Sequence, residues 1–322
     1  MVRRSPTSSL WPLPLTLVLS LALVLAACGG GGGGDDETPT AEAGPTATEG
    51  APTKEASSDS VELDVSFWHA GFYITLEEAS LAPGAGGSGV VTVTALFENL
   101  SEIDYTFDSQ VALTSGGVSY GEESLDEDLP LVPAGLTGRG AFAFEVDSEF
   151  SLDDATLIAG GPEVNQAIVP IGPNSTEDLV DLEPLQLDVT GSATAGAVTG
   201  TVTGVEVRAD LPDWRQEVEE GQLSLTVFFD VSADAGLAQT QRNFQNQNVA
   251  LRLPDGTAIA VRSDGRSGVN EILEIDTTNR NLSVRFIIDE PPEGEYAFIV
   301  RGPFGADRAQ VEDEVVFTIP AQ

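Results

Sequence analysis

Val91-Thr92-Val93-Thr94-Ala95-Leu96-Phe97 alternates between two sets of side chains, and Leu223-Ser224-Leu225-Thr226-Val227-Phe228-Phe229 does so again. A period of two is the pattern of a half-buried strand, because successive side chains leave opposite faces of a sheet. Ala141, Ala143 and Glu145 alternate in the same way with Phe142, Phe144 and Val146. Gly, Pro, Asn and Asp interrupt such runs about every ten residues. Few windows among these runs show a helical stripe, and Asp153 to Ala159 and Asp234 to Gln241 are too short to be more than turns of helix.

The two alternating runs belong to a longer internal repeat. Val61-Glu62-Leu63-Asp64-Val65-Ser66 parallels Leu185-Gln186-Leu187-Asp188-Val189-Thr190. Val111-Ala112-Leu113 parallels Val249-Ala250-Leu251, and a glycine turn follows each. Phe142 to Val146 parallels Val284 to Ile288, and Gly161-Pro162 parallels Gly302-Pro303. The matches keep their order along the chain. Seven or eight strands per copy predict an all-β chain of two tandem antiparallel immunoglobulin-like β-sandwich domains. The expected boundaries are 61–172 for the first, 173–184 for a linker and 185–322 for the second.

Working back toward the start, residues 29–60 hold six consecutive glycines, Gly29 to Gly34, and then Asp, Glu, Thr, Pro, Ala and Gly. Large apolar residues are absent, so this stretch cannot bury enough surface to offset its ordering entropy. It reads as a disordered tether, on the order of 30 Å long as a coil and about 100 Å when stretched. A phosphate-binding loop is excluded, because no Lys-Ser/Thr follows the glycines.

Residues 1–27 carry Arg3 and Arg4, then an apolar run from Leu10 to Ala27 with Pro12 and Pro14 near its start. The helical part after Pro14 is short of the roughly 20 residues of a membrane span. A charged start, a short apolar run and small residues before a cut site make a signal peptide. Leu25-Ala26-Ala27-Cys28 resembles the lipobox of bacterial lipoproteins. The resemblance implies that Leu25, Ala26 and Ala27 are the peptidase recognition residues. It also implies that the Cys28 thiol takes a diacylglyceryl group and that residues 28–60 form a lipid-anchored tether on the extracytoplasmic face of the cell membrane. Two acyl chains suffice for stable attachment. Cys28 is the single cysteine, so an internal disulfide is excluded.

The first copy resembles the telokin-like, immunoglobulin-fold domains of bacterial lipoproteins over about residues 61–171. The likeness rests on Val91 to Phe97, Asn99-Leu100-Ser101, Val111-Ala112-Leu113 with its glycine turn before Tyr120, and Pro133-Ala134-Gly135 before Gly140 to Val146. It implies the fold and an extracytoplasmic setting, with no single activity. The second copy departs from it, since no Asn-x-Ser follows Phe229-Asp230-Val231.

Asp and Glu number 52 against 14 Lys and Arg, a net charge of −38 that becomes −40 once Arg3 and Arg4 leave with the leader. Such acidity excludes phosphate backbones as partners, so no nucleic acid is expected. It also leaves membrane attachment to the acyl anchor. His69 is the only histidine, and no nucleophile-elbow motif accompanies it. Phe67 to Phe72 therefore reads as packing at a strand edge, and no catalytic residue is assigned. One histidine and no free thiol do not make a zinc site. Asp126-Glu127-Asp128 and Asp153-Asp154 read as solvated loop acids, so no metal or other cofactor is expected. Trp214 reads as core or edge packing, with stacking on a sugar or partner as the alternative, and a pocket pairing two carboxylates beside Trp214 or Trp68 would favour an enzyme. The expected function is non-enzymatic binding or scaffolding of an envelope protein or glycan. The alternative is a cell-surface polysaccharide hydrolase using a carboxylate pair.

Overall fold

The computed structural model describes residues 59–121, 129–212, 216–237, 239–262, 268–305 and 308–321. Leu25, Ala26, Ala27 and Cys28, the tether up to residue 58, Asp126-Glu127-Asp128 and Trp214 lie outside them; Asp59 and Ser60, read as the end of the tether, instead open the first strand, where they pair with Leu81 and Ser80. The first half runs β1 (Asp59–His69), β2 (Phe72–Pro83), β3 (Gly89–Asn99), β4 (Val111–Ser115), β5 (Val118–Gly121), β6 (Thr137–Val146), β7 (Thr156–Ala159) and β8 (Ala167–Pro170). These strands form two antiparallel sheets, ordered β1-β2-β3-β6 and β5-β4-β7-β8. Along β3 the alternation works as read: Val91, Val93, Ala95 and Phe97 are buried, and Thr92, Thr94 and Leu96 are only half-buried.

The second half runs β9 (Leu185–Leu187), β10 (Gly191–Ala195), β11 (Val198–Arg208), β12 (Asp210–Leu211), β13 (Gln216–Glu217), β14 (Gln222–Ala233) and β15 (Gln241–Gln245). It continues through β16 (Val249–Arg252), β17 (Ala258–Ile259), β18 (Asn270–Glu274), β19 (Thr277–Asp289), β20 (Gly294–Gly302) and β21 (Val311–Ile319). Its main sheets are ordered β10-β11-β14-β19, with β9 also on β11, and β17-β16-β20-β21. Strand for strand this is the order of the first half, with two short extra pairs, β12-β13 and β15-β18.

The likeness extends to single residues. Leu76 pairs with Ala95 and Glu78 with Thr94, so Glu77 bulges out of β2. Val202 pairs with Phe229 and Gly204 with Phe228, so Thr203 bulges out of β11 at the matching place. A bulge sharpens strand twist and re-aims the side chains beyond it. Some sequence parallels need a shift of two residues. Val61 pairs with Ala79 as Leu187, rather than Leu185, pairs with Val205. Val91 opposes Phe144 as Leu225, rather than Leu223, opposes Phe286. Such a slip is invisible to a period of two, because it returns every side chain to the same face.

Each half has its own apolar core, to which both of its main sheets contribute. Phe72, Phe97, Phe107 and Phe142 meet in edge-on and tilted contacts in the first. Phe229, Phe244, Phe298 and Phe304 meet in tilted and stacked contacts in the second. The cores are separate, yet Glu55–Gln322 is one compact unit. The stretch 173–184, read as a linker, is tied onto the first half. Val180 exchanges both backbone hydrogen bonds with Ile168, at 2.9 Å each, and the Asp181 carbonyl accepts from Trp68 N at 2.7 Å.

Candidate functional site

The site lies where the halves meet, and it starts from a tight turn. His69 pairs with Phe72, so β1 and β2 are joined by Ala70 and Gly71 alone. Both have positive φ, 47° and 84°. Two such residues are what the primed hairpin turns require, because they match the strand twist. Alanine is disfavoured there, and its neighbours hold it: the Tyr105 hydroxyl donates to the Ala70 carbonyl, and Leu100 N donates to the Gly71 carbonyl at 2.9 Å. A side chain at Gly71 would meet the Pro212 carbonyl at 3.0 Å, so the hairpin tip is seated on the second half.

The second half receives this tip with charged groups. In β11, Glu206, Arg208 and then Asp210 leave one face, and Val205 and Val207 leave the other into the core. Asp210 Oδ2 accepts from Gly71 N at 2.7 Å, and its Oδ1 accepts from Arg208 Nε at 2.6 Å. Arg208 Nη1 reaches Glu206 Oε1 at 3.4 Å. Arg208 is 7 % exposed and Asp210 3 %. Burial opposes the charge on Arg208, and the carboxylates of Asp210 and Glu206 more than offset it, so the guanidinium is held above its ordinary value. Its Nη2 is buried with no hydrogen-bond partner among the described residues.

His69 completes the contact. It is 1 % exposed, and its Nε2 lies 3.0 Å from Glu217 Oε1. The hydrogen bond from His69 holds the Glu217 carboxyl below the usual carboxylate range; burial pushes the other way, and Ser109 adds a second bond. On the same side Asn165 N donates to the Val218 carbonyl at 3.0 Å. Its Nδ2 donates to the carbonyls of Ala209 and Gln222, at 3.3 and 2.7 Å.

Beside these contacts opens a cavity of 960 Å³, walled by both halves and by the 179–186 stretch. Its aliphatic lining includes Val164, Leu179, Val180, Leu185 and Leu223. Glu183, Glu220 and Glu290 stand exposed around it, and Arg208 lines it. Clefts between domains are common ligand sites, because two independent surfaces converge there.

Most residues singled out in the sequence fall elsewhere. His69 is brought to the junction; Trp68 beside it packs against Tyr73 at a tilt, ring centres 4.5 Å apart. Asp154 is a turn-holding acid, accepting from Ser115 Oγ at 2.6 Å and Gly116 N at 3.1 Å. Among the described residues no group of His, Cys, Asp and Glu is arranged to hold a metal ion, and no helix is long and apolar enough to cross a membrane. Arg208, Asp210 and Glu217 were missed. For the first two the signal was Glu206-Val207-Arg208-Ala209-Asp210, three charges on one face of a strand whose other face is apolar, and Glu217 lies beyond that stretch. No protein-family model matches the chain, and no curated protein matches it.

Proposed function

We propose that this chain is an extracytoplasmic lipoprotein, anchored through Cys28, that presents two tandem immunoglobulin-like β-sandwich modules as a binding or scaffolding unit in the cell envelope. The observation that carries the binding reading is the 960 Å³ cleft between two halves tied together by buried polar contacts. Halves held in one orientation keep a shared cleft formed before the ligand arrives, which lowers the ordering cost of binding. The location rests on the lipobox residues Leu25 to Cys28 and on an acidity that gives anionic headgroups nothing to attract.

The hydrolase reading fits less well. A general acid works near neutral pH when an apolar pocket raises its pKa. Here Glu183, Glu220 and Glu290 stand exposed around the cleft, and Asp210 and Glu206 are occupied by Arg208. The test is membrane fractionation with mass spectrometry of the mature N-terminus. A diacylglyceryl-modified Cys28 is expected, and Cys28→Ala should abolish both the modification and the membrane retention. Full retention of the unmodified variant would sink the anchor. Crosslinking of the anchored protein in intact cells should join an envelope component through residues of the cleft; crosslinks confined to the far sheets would sink the binding site.

A further inference from the structure

The outer strands of the main sheets differ in how they meet solvent. An open strand edge offers a row of unpaired N–H and C=O groups to any second strand, and proteins blunt most such edges. Every outer strand here but one is blunted. β1 carries Asp59, Glu62 and Asp64, its pairing with β2 shifts between Glu62 and Val65, and its Trp68 N already donates to the Asp181 carbonyl. β8 ends in Pro170, and its Ile168 is bonded to Val180. β5, β9 and β17 have only four, three and two residues. In β10, Thr194 N donates to Asp313 Oδ2 at 2.8 Å. In β19, the Arg285 carbonyl accepts from Arg262 N at 2.9 Å. β21 carries Glu312, Asp313 and Glu314 in succession.

β6 is the exception. It has ten residues and pairs with β3 without a break from Thr137 to Val146. It holds no proline, and among the described residues no backbone outside β3 is bonded to it. Phe142, Phe144 and Val146 point into the core, and Arg139, Ala141, Ala143 and Glu145 alternate with them on the outer face. Glycine and alanine at 138, 140, 141 and 143 let a second backbone come close. The strand's only two charges are opposite in sign and sit three residues to either side of Phe142. An antiparallel copy centred on Phe142 therefore sets Ala141 against Ala143, and Arg139 against Glu145, twice over by symmetry. No other antiparallel register opposes these two charges. Opposite charges directly across a strand pair attract, and like charges repel. Arg139 also donates to Glu77 Oε1 at 2.6 Å, yet its side chain is 70 % exposed and a guanidinium has five donors, enough for both carboxylates. Elsewhere two copies of a chain of charge −38 repel, but at physiological ionic strength that repulsion is screened over about 8 Å, so the directly opposed groups decide. We infer that β6 of one molecule pairs antiparallel with β6 of a second copy, so that their β1-β2-β3-β6 sheets run on into one. A two-fold contact uses the same patch on both partners and closes at the dimer. β6 takes no part in lining the cleft, and the inference stands without it.

The test is sedimentation equilibrium of the full chain in density-matched detergent micelles, from micromolar to near-millimolar concentration. The natural chain should pass from monomer to dimer and no further. Arg139→Glu makes both charges of the strand negative, and Glu145→Arg makes both positive. Each variant alone should associate about tenfold more weakly, because both cross-strand pairs turn repulsive. An equimolar mixture of the two should regain the dimer, since the mixed pair again opposes unlike charges at both ends. Micelle sharing is the same in all these samples, so it cannot produce that pattern. Hydrogen exchange on the natural chain decides alone if a variant fails to fold: β6 amides on the side away from β3 should exchange more slowly as concentration rises. A chain that stays monomeric throughout, single variants that associate as the natural chain does, a mixture as weak as its parts, or β6 exchange that ignores concentration would overturn the inference. So would a monomeric chain whose β6 crosslinks in cells to a different envelope protein, which would give the edge another partner.

Discussion

His69 and Glu217 stand on different halves of the molecule and share a hydrogen bond of 3.0 Å between Nε2 and Oε1. One is the last residue of β1, the other closes the short β12–β13 pair that the first half lacks. The extra hairpin is thus an insertion that the repeat unit uses to grip its neighbour. His69 packs near Phe107 and against the bare Gly160, where an added methyl group would come within 3.0 Å of its ring.

Acid should loosen this junction. The Glu217 carboxyl is held below its ordinary value chiefly by His69. A depressed carboxylate contributes stability that is present above the unfolded value, about 4.3, and is lost as pH falls through the folded one. With 52 acids in the chain, many groups share the acid limb, so the comparison must be with Glu217→Gln. The amide oxygen can still accept from Nε2 but does not titrate. Urea midpoints should separate the two proteins at neutral pH and converge between about pH 5 and pH 3. A constant gap across that range would show that the carboxylate charge contributes nothing.

Phe229→Ala should cost about 3–5 kcal/mol, the usual range for a fully buried ring. Phe229 is wholly buried and sits 5.1 Å from Phe298 and 6.3 Å from Phe244, joining the two main sheets of the second half. Chemical denaturation followed by fluorescence reads the loss. A cost under about 1 kcal/mol would mean that the two sheets do not share that core.

Proteases should cut first within 29–58, ahead of the strand that opens at Asp59, and next near 176–179, where the backbone is exposed. Cleavage at Val180 or Asp181 should lag, because both are tied by backbone bonds to Ile168 and Trp68. The two products of the second cut should still elute together on gel filtration, held by the junction. Immediate separation would mean that those contacts are too weak to hold the halves.

The all-β character was legible because β3 and β6 bury one face each: Phe142, Phe144 and Val146 turn inward as their alternation says. The repeat was legible in order but slipped by two residues at β9 and β14, since no alternating pattern can distinguish positions on one face. The junction was not legible. Ser224, Thr226 and Arg285 lie on the outer face of their sheet and are nonetheless buried, so that face is covered, and binary patterning reads such residues as solvent-facing. What covers a polar face is set by tertiary contacts, here in part β12, whose Asp210 carbonyl accepts from Ser224 Oγ at 3.0 Å, and local sequence does not encode them.

Asp210 should be the most costly single polar side chain to remove. It is 3 % exposed and accepts from Gly71 N of one half and Arg208 Nε of the other. Asp210→Ala strands a buried guanidinium and a buried amide together. Breaking a buried pair from one side costs about 3–5 kcal/mol, and the guanidinium then keeps only the longer contact to Glu206, at 3.4 Å. For a domain of this size that lowers the melting temperature by about 10 °C. Asp210→Asn keeps an acceptor for Gly71 N and should cost roughly half as much. The double change Asp210→Ala with Arg208→Met removes the stranded charge and should recover part of the loss, the signature of coupling between contacting residues. Calorimetry adds a second readout. The intact junction should make the two halves melt in one transition, and Asp210→Ala should split it into two. If the single and double variants lose the same stability, the Arg208–Asp210 pair is not what couples the halves.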